Sequence, residues 1–291
     1  MTLWQHIAAR IGELSGRDFR PEPPRHLGGG CINTALRLTD GEQQWFVKTN
    51  SADRLDMFEA EAEGLEAMAD TGTIRVPRPL GTGTHDGQSY IIMEYIASGG
   101  AGSRGQALAG EQLAAMHRHT TERFGWHRDN TIGATHQPNA RHADWIDFWR
   151  EQRLGFQLEL AGHNGFPNLA RRGEQLLERF PALIDHDPQP SLLHGDLWGG
   201  NITFDTDGQP VIFDPAVYYG DREAELAMTE LFGGFGRDFY AAYDAAWPLD
   251  RGYATRKTLY NLYHILNHAN LFGGGYASQA QRMIDQLLAK C

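Results

Sequence analysis

The chain has 291 residues, a formal net charge of −11 and two cysteines. The acidic balance disfavours duplex nucleic acid or an anionic membrane as partner, and two cysteines are too few for a disulfide framework or a multi-cysteine zinc module. No apolar run approaches the ~18 residues that cross a bilayer, and His6, Arg10 and Glu13 interrupt the N-terminal apolar positions, so no signal peptide is expected and a cytoplasmic protein acting on something small is.

Residues 1–20 carry Leu3, Trp4, Ile7, Ala8 and Ile11 at helical spacing and predict an amphipathic helix. A proline-rich connector over 20–25 leads into Leu27-Gly-Gly-Gly-Cys31. Strand-like runs follow at 34–38 and 44–49, with Asp40-Gly41 as a hairpin turn between them. A helix is expected over 54–70, stopping at Thr71-Gly72. Val76-Pro-Arg-Pro79 is held extended by its prolines, and the dense apolar run 90–96 suits a buried strand. The shift to Ser, Gly and Ala over 98–102 reads as a hinge that divides residues 1–96 from 97–291. Beyond it, helical patterns near 104–122, 143–162, 168–180, 221–233, 254–273 and 277–289 surround 191–214, which reads as short strands and loops. The expected fold class is α+β, with a small β-rich N-terminal lobe and a larger α-helical C-terminal lobe.

Chemistry concentrates in Leu192-Leu-His-Gly-Asp-Leu-Trp-Gly-Gly-Asn-Ile202 and in Val211-Ile-Phe-Asp-Pro215. Either half alone could be a satisfied turn or a strand end. Together, His194-x-Asp196-x₄-Asn201 followed by Asp214 has the catalytic-loop and metal-aspartate spacing of the protein-kinase-like fold, with Gly195 where protein kinases carry arginine. Phosphoryl transfer needs a carboxylate to take the proton of the acceptor hydroxyl, and Asp196 fits. It also needs hard oxygen ligands for Mg²⁺, and Asn201 and Asp214 fit.

The first lobe should then supply a lysine for the phosphates of ATP and a glutamate to hold it. Phe46-Val-Lys48 places a lysine in the second strand, where the plain alternative is an exposed edge charge. At 100° per residue the apolar arc of helix 54–70 centres near Phe58; Glu61 lies about 50° from that centre, Glu66 about 90°, and Glu59 and Glu63 further out. Glu61 is therefore the one placed at the lobe interface, and the other three read as solvated. Gly28, Gly29, Gly30 and Cys31 could lie over the phosphates through backbone N–H groups. Met93, Glu94, Tyr95 and Ile96 sit where the hinge would present backbone groups to an adenine.

On these residues the chain resembles the fructosamine kinase (ketosamine-3-kinase) family, a branch of the aminoglycoside- and choline-kinase-like fold. The supporting segments are Gly28-Gly-Gly-Cys-Ile-Asn33, Phe46-Val-Lys48, Met57-Phe-Glu-Ala-Glu61, Val76-Pro-Arg-Pro79, Phe124-Gly-Trp126 and Asp129-Asn-Thr-Ile-Gly133. They continue with His194-Gly-Asp-Leu-Trp-Gly-Gly-Asn201, Asp214-Pro-Ala216, Tyr218 with Gly220, Phe232-Gly-Gly-Phe235 and Leu266-Asn-His268. The resemblance implies a bilobal protein-kinase-like fold and ATP- and Mg²⁺-dependent phosphorylation of the sugar 3-hydroxyl of a ketosamine, free or on a glycated lysine or peptide. The phosphate destabilises the adduct and releases the amine, a deglycation repair. Lys48 would bind the phosphates, Glu61 would pair it, Asp196 would be the base, Asn201 and Asp214 would carry Mg²⁺, and Trp198 and His268 would contact substrate. An aminoglycoside- or choline-type kinase, or a non-catalytic nucleotide-binding scaffold, are the alternatives on the same fold.

The resemblance also makes Cys31 a candidate redox switch, with a monomer passing to a homodimer through Cys31 of a second chain; the plain alternative is a small loop residue. Trp198 could equally be a core aromatic. His264, Asn267, His268 and Asn270, on a helix apolar nearly all round, could bond one another or the loop beside Asp196. His117, His119, His127 and His142 show no metal-ligand pattern and read as surface groups.

Overall fold

The structure, a computed structural model, describes residues 1–28, 32–100 and 102–291. Helix α1 (Leu3–Ser15) starts on a capping box between Thr2 and Gln5 and stops where Gly16 turns left-handed at φ 69°, short of the expected residue 20. After it come β1 (Arg25–Leu27), β2 (Thr34–Thr39), β3 (Gln44–Ser51), α2 (Leu55–Asp70), β4 (Pro79–His85) and β5 (Gln88–Glu94). The strands form one sheet in the order β1-β2-β3-β5-β4, antiparallel throughout.

Side chains alternate faces along a strand, and that parity sorts the sheet. Val47, Tyr90 and Ile92 face α1, where Leu3, Ile7 and Ile11 cover them. Phe46, Ile91 and Met93 face α2 and join Phe58, Leu65 and Met68. Lys48 has the parity of Phe46, so β3 aims an ammonium group into the face between the lobes. Two strands of this sheet were not expected from the sequence. The connector ends in β1, and residues 79–85 form β4 with little apolar pattern, because pairing with β5 along its length supplies what side chains do not.

The chain then enters the helical lobe through α3 (Ser103–His117), the hairpin of β6 (Asn130–Ile132) and β7 (Thr135–Gln137), and α4 (Trp145–Phe148). A seven-residue π-helical stretch, Trp149–Gly155, joins α4 to α5 (Phe156–His163). There follow α6 (Pro167–Arg179), β8 (Ser191–Leu193), β9 (Ile202–Phe204), β10 (Pro210–Ile212), β11 (Tyr218–Gly220), α7 (Arg222–Leu231), α8 (Arg237–Ala246), α9 (Tyr253–Phe272) and α10 (Gly275–Leu288). The helix expected over 104–122 ends at His117, and Thr120 beyond it bridges Ser191. The helix expected over 143–162 is interrupted by the π-helical stretch, whose wide turn carries the buried Arg153. Its guanidinium lies 4.0 Å from the Tyr218 ring and donates to the Pro138 carbonyl at 2.7 Å. Helix α8 was not expected; it packs along α3.

One apolar core runs from Phe58 and Leu65 of α2 to Leu262 and Leu266 of α9, so α2 is packed against the second lobe as well as the sheet. No described helix is long and apolar enough to cross a membrane.

Candidate active site

Short strands in the second lobe set the reacting groups. β8 pairs with β11, and β9 pairs with β10. The loop His194–Asn201 joins β8 to β9, and Asp214 follows β10 after one residue, Phe213. Gly195 takes φ 84°, and a Cβ there would lie 2.1 Å from the Ala216 carbonyl oxygen. No side chain fits at that position, which is why glycine stands between His194 and Asp196.

The cleft between the lobes brings the two halves of the sequence pattern together. Lys48 Nζ donates to Glu61 Oε1 at 2.6 Å and also to Asp214 Oδ1 across the lobe boundary. Burial works against the Lys48 charge, but the two carboxylates outweigh it and hold the ammonium above the ordinary lysine range. Asn201 Nδ2 donates to the Asp196 carbonyl at 2.8 Å and faces its carboxylate at 3.4 Å. Burial, reinforced by Asp214 and Glu225, pushes the Asp196 carboxyl well above the usual carboxylate range.

His194 works as a splint. It accepts the Asp196 backbone N–H on Nδ1 at 3.2 Å and donates from Nε2 to the Phe213 carbonyl at 2.8 Å. Burial lowers its pKa, so the ring is neutral and one tautomer serves both bonds. The loop with Asp196 is thereby tied to the residue before Asp214.

The cleft has a volume of about 750 Å³, within the range of small-molecule sites. Gly28, Met93, Glu94, Tyr95 and Ile96 line it together with Lys48, Glu61, Asp196, Asn201 and Asp214. Gly29, Gly30 and Cys31 lie outside the described residues. Asn201 commits its amide nitrogen inward, which leaves Oδ1, and Asp214 has a second carboxylate oxygen beyond the one facing Lys48. A carboxylate and an amide oxygen form an all-oxygen set, which suits Mg²⁺.

A sequence model of the fructosamine kinase family matches residues 3–290. The chain belongs to the fructosamine kinase family. A Synechocystis protein described as a "probable ketoamine kinase" is 51% identical over 291 residues, covering 98% of this chain and 97% of its own. The chloroplastic protein-ribulosamine 3-kinase of Arabidopsis thaliana is 49% identical over 268 residues, 90% of this chain and 81% of that one. The crystal structure of a candidate fructosamine-3-kinase from Haemophilus somnus matches with a TM-score of 0.90 at 31% identity, over 98% of this chain and 97% of that one. Choline kinase from Streptococcus pneumoniae matches with a TM-score of 0.64 at 14% identity over 99% of each chain, a likeness of fold. The fold is the bilobal protein-kinase-like one.

In this fructosamine kinase family member Trp198 is no core residue: it is 39% exposed and lines the cleft. The backbone beside it is clamped, with Gly199 N–H donating to the Gly233 carbonyl at 3.0 Å. Phe232 is thereby set beside the indole, ring centroids 6.3 Å apart. His268 stands one ring further out, 4.9 Å from Phe232. Among the described residues, His264, Asn267 and Asn270 make no hydrogen bond to the Asp196 loop. Asn267 donates to the Ile132 carbonyl, Asn270 to Gln157, and the His264 carbonyl accepts from His268.

Three expectations are corrected. His117 is fully buried, with Nδ1 2.8 Å from the Tyr243 hydroxyl and Nε2 3.2 Å from Glu225. His142 is half-buried, its backbone paired with Phe124. Glu63 is not merely solvated: it accepts from Arg128 at 2.6 Å and faces His127 Nε2 at 2.8 Å, tying α2 to the second lobe. Sequence reasoning missed Glu225 altogether. Its two oxygens accept the backbone N–H groups of His194 and Gly195 at 2.7 and 2.8 Å. The available signal was a carboxylate inside Ala224-Glu-Leu-Ala-Met228, which says that Glu225 needs partners and not which ones.

Proposed function

We propose that this kinase transfers the γ-phosphoryl group of ATP to the 3-hydroxyl of a ketosamine, the adduct of a sugar on an amine. The observation that carries the reading is the meeting of Lys48, Glu61 and Asp214 from two lobes, in the cleft that also holds Asp196 and Asn201. Its substrate class follows from the names of the relatives at about half identity.

In this reading the lobes meet at residues 96 and 97, with 94–102 as the hinge. The adenine lies against the backbone of Met93–Ile96, and the loop with Gly28, Gly29, Gly30 and Cys31 covers the phosphates. Lys48, oriented by Glu61, holds the phosphates. The Asp196 carboxylate accepts the 3-hydroxyl proton as that oxygen forms its bond to the γ-phosphorus and the bond to ADP breaks. A raised carboxyl pKa makes the ionised Asp196 carboxylate a better proton acceptor. Asn201 and Asp214 would hold Mg²⁺, which supplies charge neutralisation for the phosphate oxygens. The Trp198 face takes the C–H face of the sugar, and His268, one ring further out, meets a polar group of the substrate. The cytoplasm, expected from the sequence, is a fitting place for an ATP-dependent repair reaction.

The test is ATP consumption by the purified protein with Mg²⁺, on ribulosyl-lysine, fructosyl-lysine, choline and kanamycin. Turnover of a ketosamine with a 3-phosphate product is the expected result. Turnover of choline or kanamycin alone would discard the repair function, and ATP binding without turnover of any of the four would favour a scaffold.

A further inference from the structure

Large apolar side chains left open to solvent cluster at one mouth of the cleft. Among the described residues they include Ile32, Trp198, Phe232, Leu271 and Phe272. A continuous strip of rings starts at Trp198, two residues from Asp196. It passes to Phe232 after α7, to His268 and Phe272 in the last turns of α9, and to Tyr276 on α10. Successive centroids are 6.3 Å (Trp198–Phe232), 4.9 Å (Phe232–His268), 5.7 Å (His268–Phe272) and 6.4 Å (Phe272–Tyr276) apart. Ile32 and Leu271 approach each other over Gly133, within 3.6 and 3.7 Å of the position its Cβ would take.

A ketosamine has two unlike halves. The sugar must place a hydroxyl at Asp196, so the amine-bearing half has to leave the cleft, and Trp198 is the wall that belongs to both cleft and strip. Charge says what that half can be. Lys48 is the one cation among the described residues lining the cleft, and Glu61 and Asp214 already engage it. The strip itself offers four aromatic rings and a histidine. His268 donates from Nδ1 to the His264 carbonyl at 2.8 Å, which leaves Nε2 as the ring atom that can meet the substrate's amine.

Resting on the reading above, we propose that Phe232, His268, Phe272 and Tyr276 form a subsite for the amine-bearing half of the ketosamine. The subsite selects amines that carry an aromatic or extended apolar group and no free carboxylate nearby. Rings stacked on such a group exclude water from it, whereas the α-carboxylate of a free amino acid would be set against apolar faces.

The experiment compares kcat/KM for the ribulose adducts of methylamine, 4-phenylbutylamine and the ε-amine of free lysine. The phenylbutylamine adduct should exceed the other two about tenfold, the factor expected for one added aromatic contact. Phe272→Ala, a truncation at a side chain 63% exposed, should bring the ratio of phenylbutylamine to methylamine adducts close to one. Equal kcat/KM for the three adducts in the native kinase, or a Phe272→Ala variant with the ratio intact, would overturn the subsite. Failure to turn over any ketosamine would instead overturn the proposed function, and the subsite with it.

Discussion

The Glu225 carboxylate accepts the backbone N–H of His194 at 2.7 Å, so the loop carrying Asp196 hangs from a buried charge on α7. Burial alone would raise the Glu225 pKa, but His117 and the His194 N–H reverse the direction and hold the carboxylate below the ordinary glutamate range. Replacing Glu225 by Gln removes the charge and presents an amide donor to one of two backbone donors. We expect kcat to fall about 10²-fold, the effect of a small displacement of a reacting group, while the nucleotide Kd changes little. Single-turnover kinetics with a nucleotide titration would check this, and a variant that loses only thermal stability would make Glu225 a purely structural anchor.

Asp196→Asn should keep ATP binding and lose a factor of about 10²–10⁴ in kcat, the range for removing a general base. Near-native turnover in that variant would take the proton-acceptor role away from Asp196.

The raised Asp196 carboxyl also sets a pH dependence. The base works only when ionised, so activity is full above its pKa and is lost as pH falls through it. The acidic limb of the kcat/KM profile should therefore have its midpoint above the ordinary aspartate value of about 4. A midpoint at or below that value would mean that bound substrates, or a different group, govern the limb.

Lys48→Met removes the cation shared by Glu61 and Asp214. Glu61 is buried, so the loss should cost about 3–5 kcal/mol of stability, the range for breaking a buried pair from one side. kcat/KM for ATP should fall as well. Urea unfolding and initial rates measure the two effects separately, and intact kinetics would place the phosphate-binding cation elsewhere.

His264 is buried, and burial, with His268 and Arg153 near it, pushes its pKa down to about 3. The unfolded chain binds a proton there near pH 6.5 and the native state does not. The contribution of His264 to stability is thus complete above about pH 6.5 and is lost progressively as pH falls towards 3, at up to about 1.4 kcal/mol per pH unit. Unfolding free energies of the native protein and of His264→Asn, compared between pH 7 and 5, should show a shallower slope in the variant. Parallel slopes would mean that His264 takes up a proton in the folded state.

The parts of the site that were legible in the sequence are those set by phase along a single element. The pattern of Phe46-Val-Lys48 placed a lysine in the second strand, and the helical arc singled out Glu61 from four glutamates on α2; the structure brings the pair to 2.6 Å. The boundaries of the site were less legible. β4 has almost no apolar alternation and exists because β5 offers an edge to pair with. Helix α1 ends at Ser15 because Gly16 can turn left-handed. The reading of His117 as a surface group failed for a different reason: its partners, Tyr243 and Glu225, are 126 and 108 residues away.

Sequence pattern was enough for the order of the two lobes, the inner face of α2, and the spacing of Asp196, Asn201 and Asp214, since each depends on residues near one another in the chain. Which buried polar groups meet was decided by the packed chain: Glu225 under His194 and Gly195, Glu63 with Arg128, and Phe232 beside Trp198. A charge or a ring carries in the sequence only its need for a partner. The partner itself is chosen when distant segments close over it and water is excluded, and that choice exists only in three dimensions.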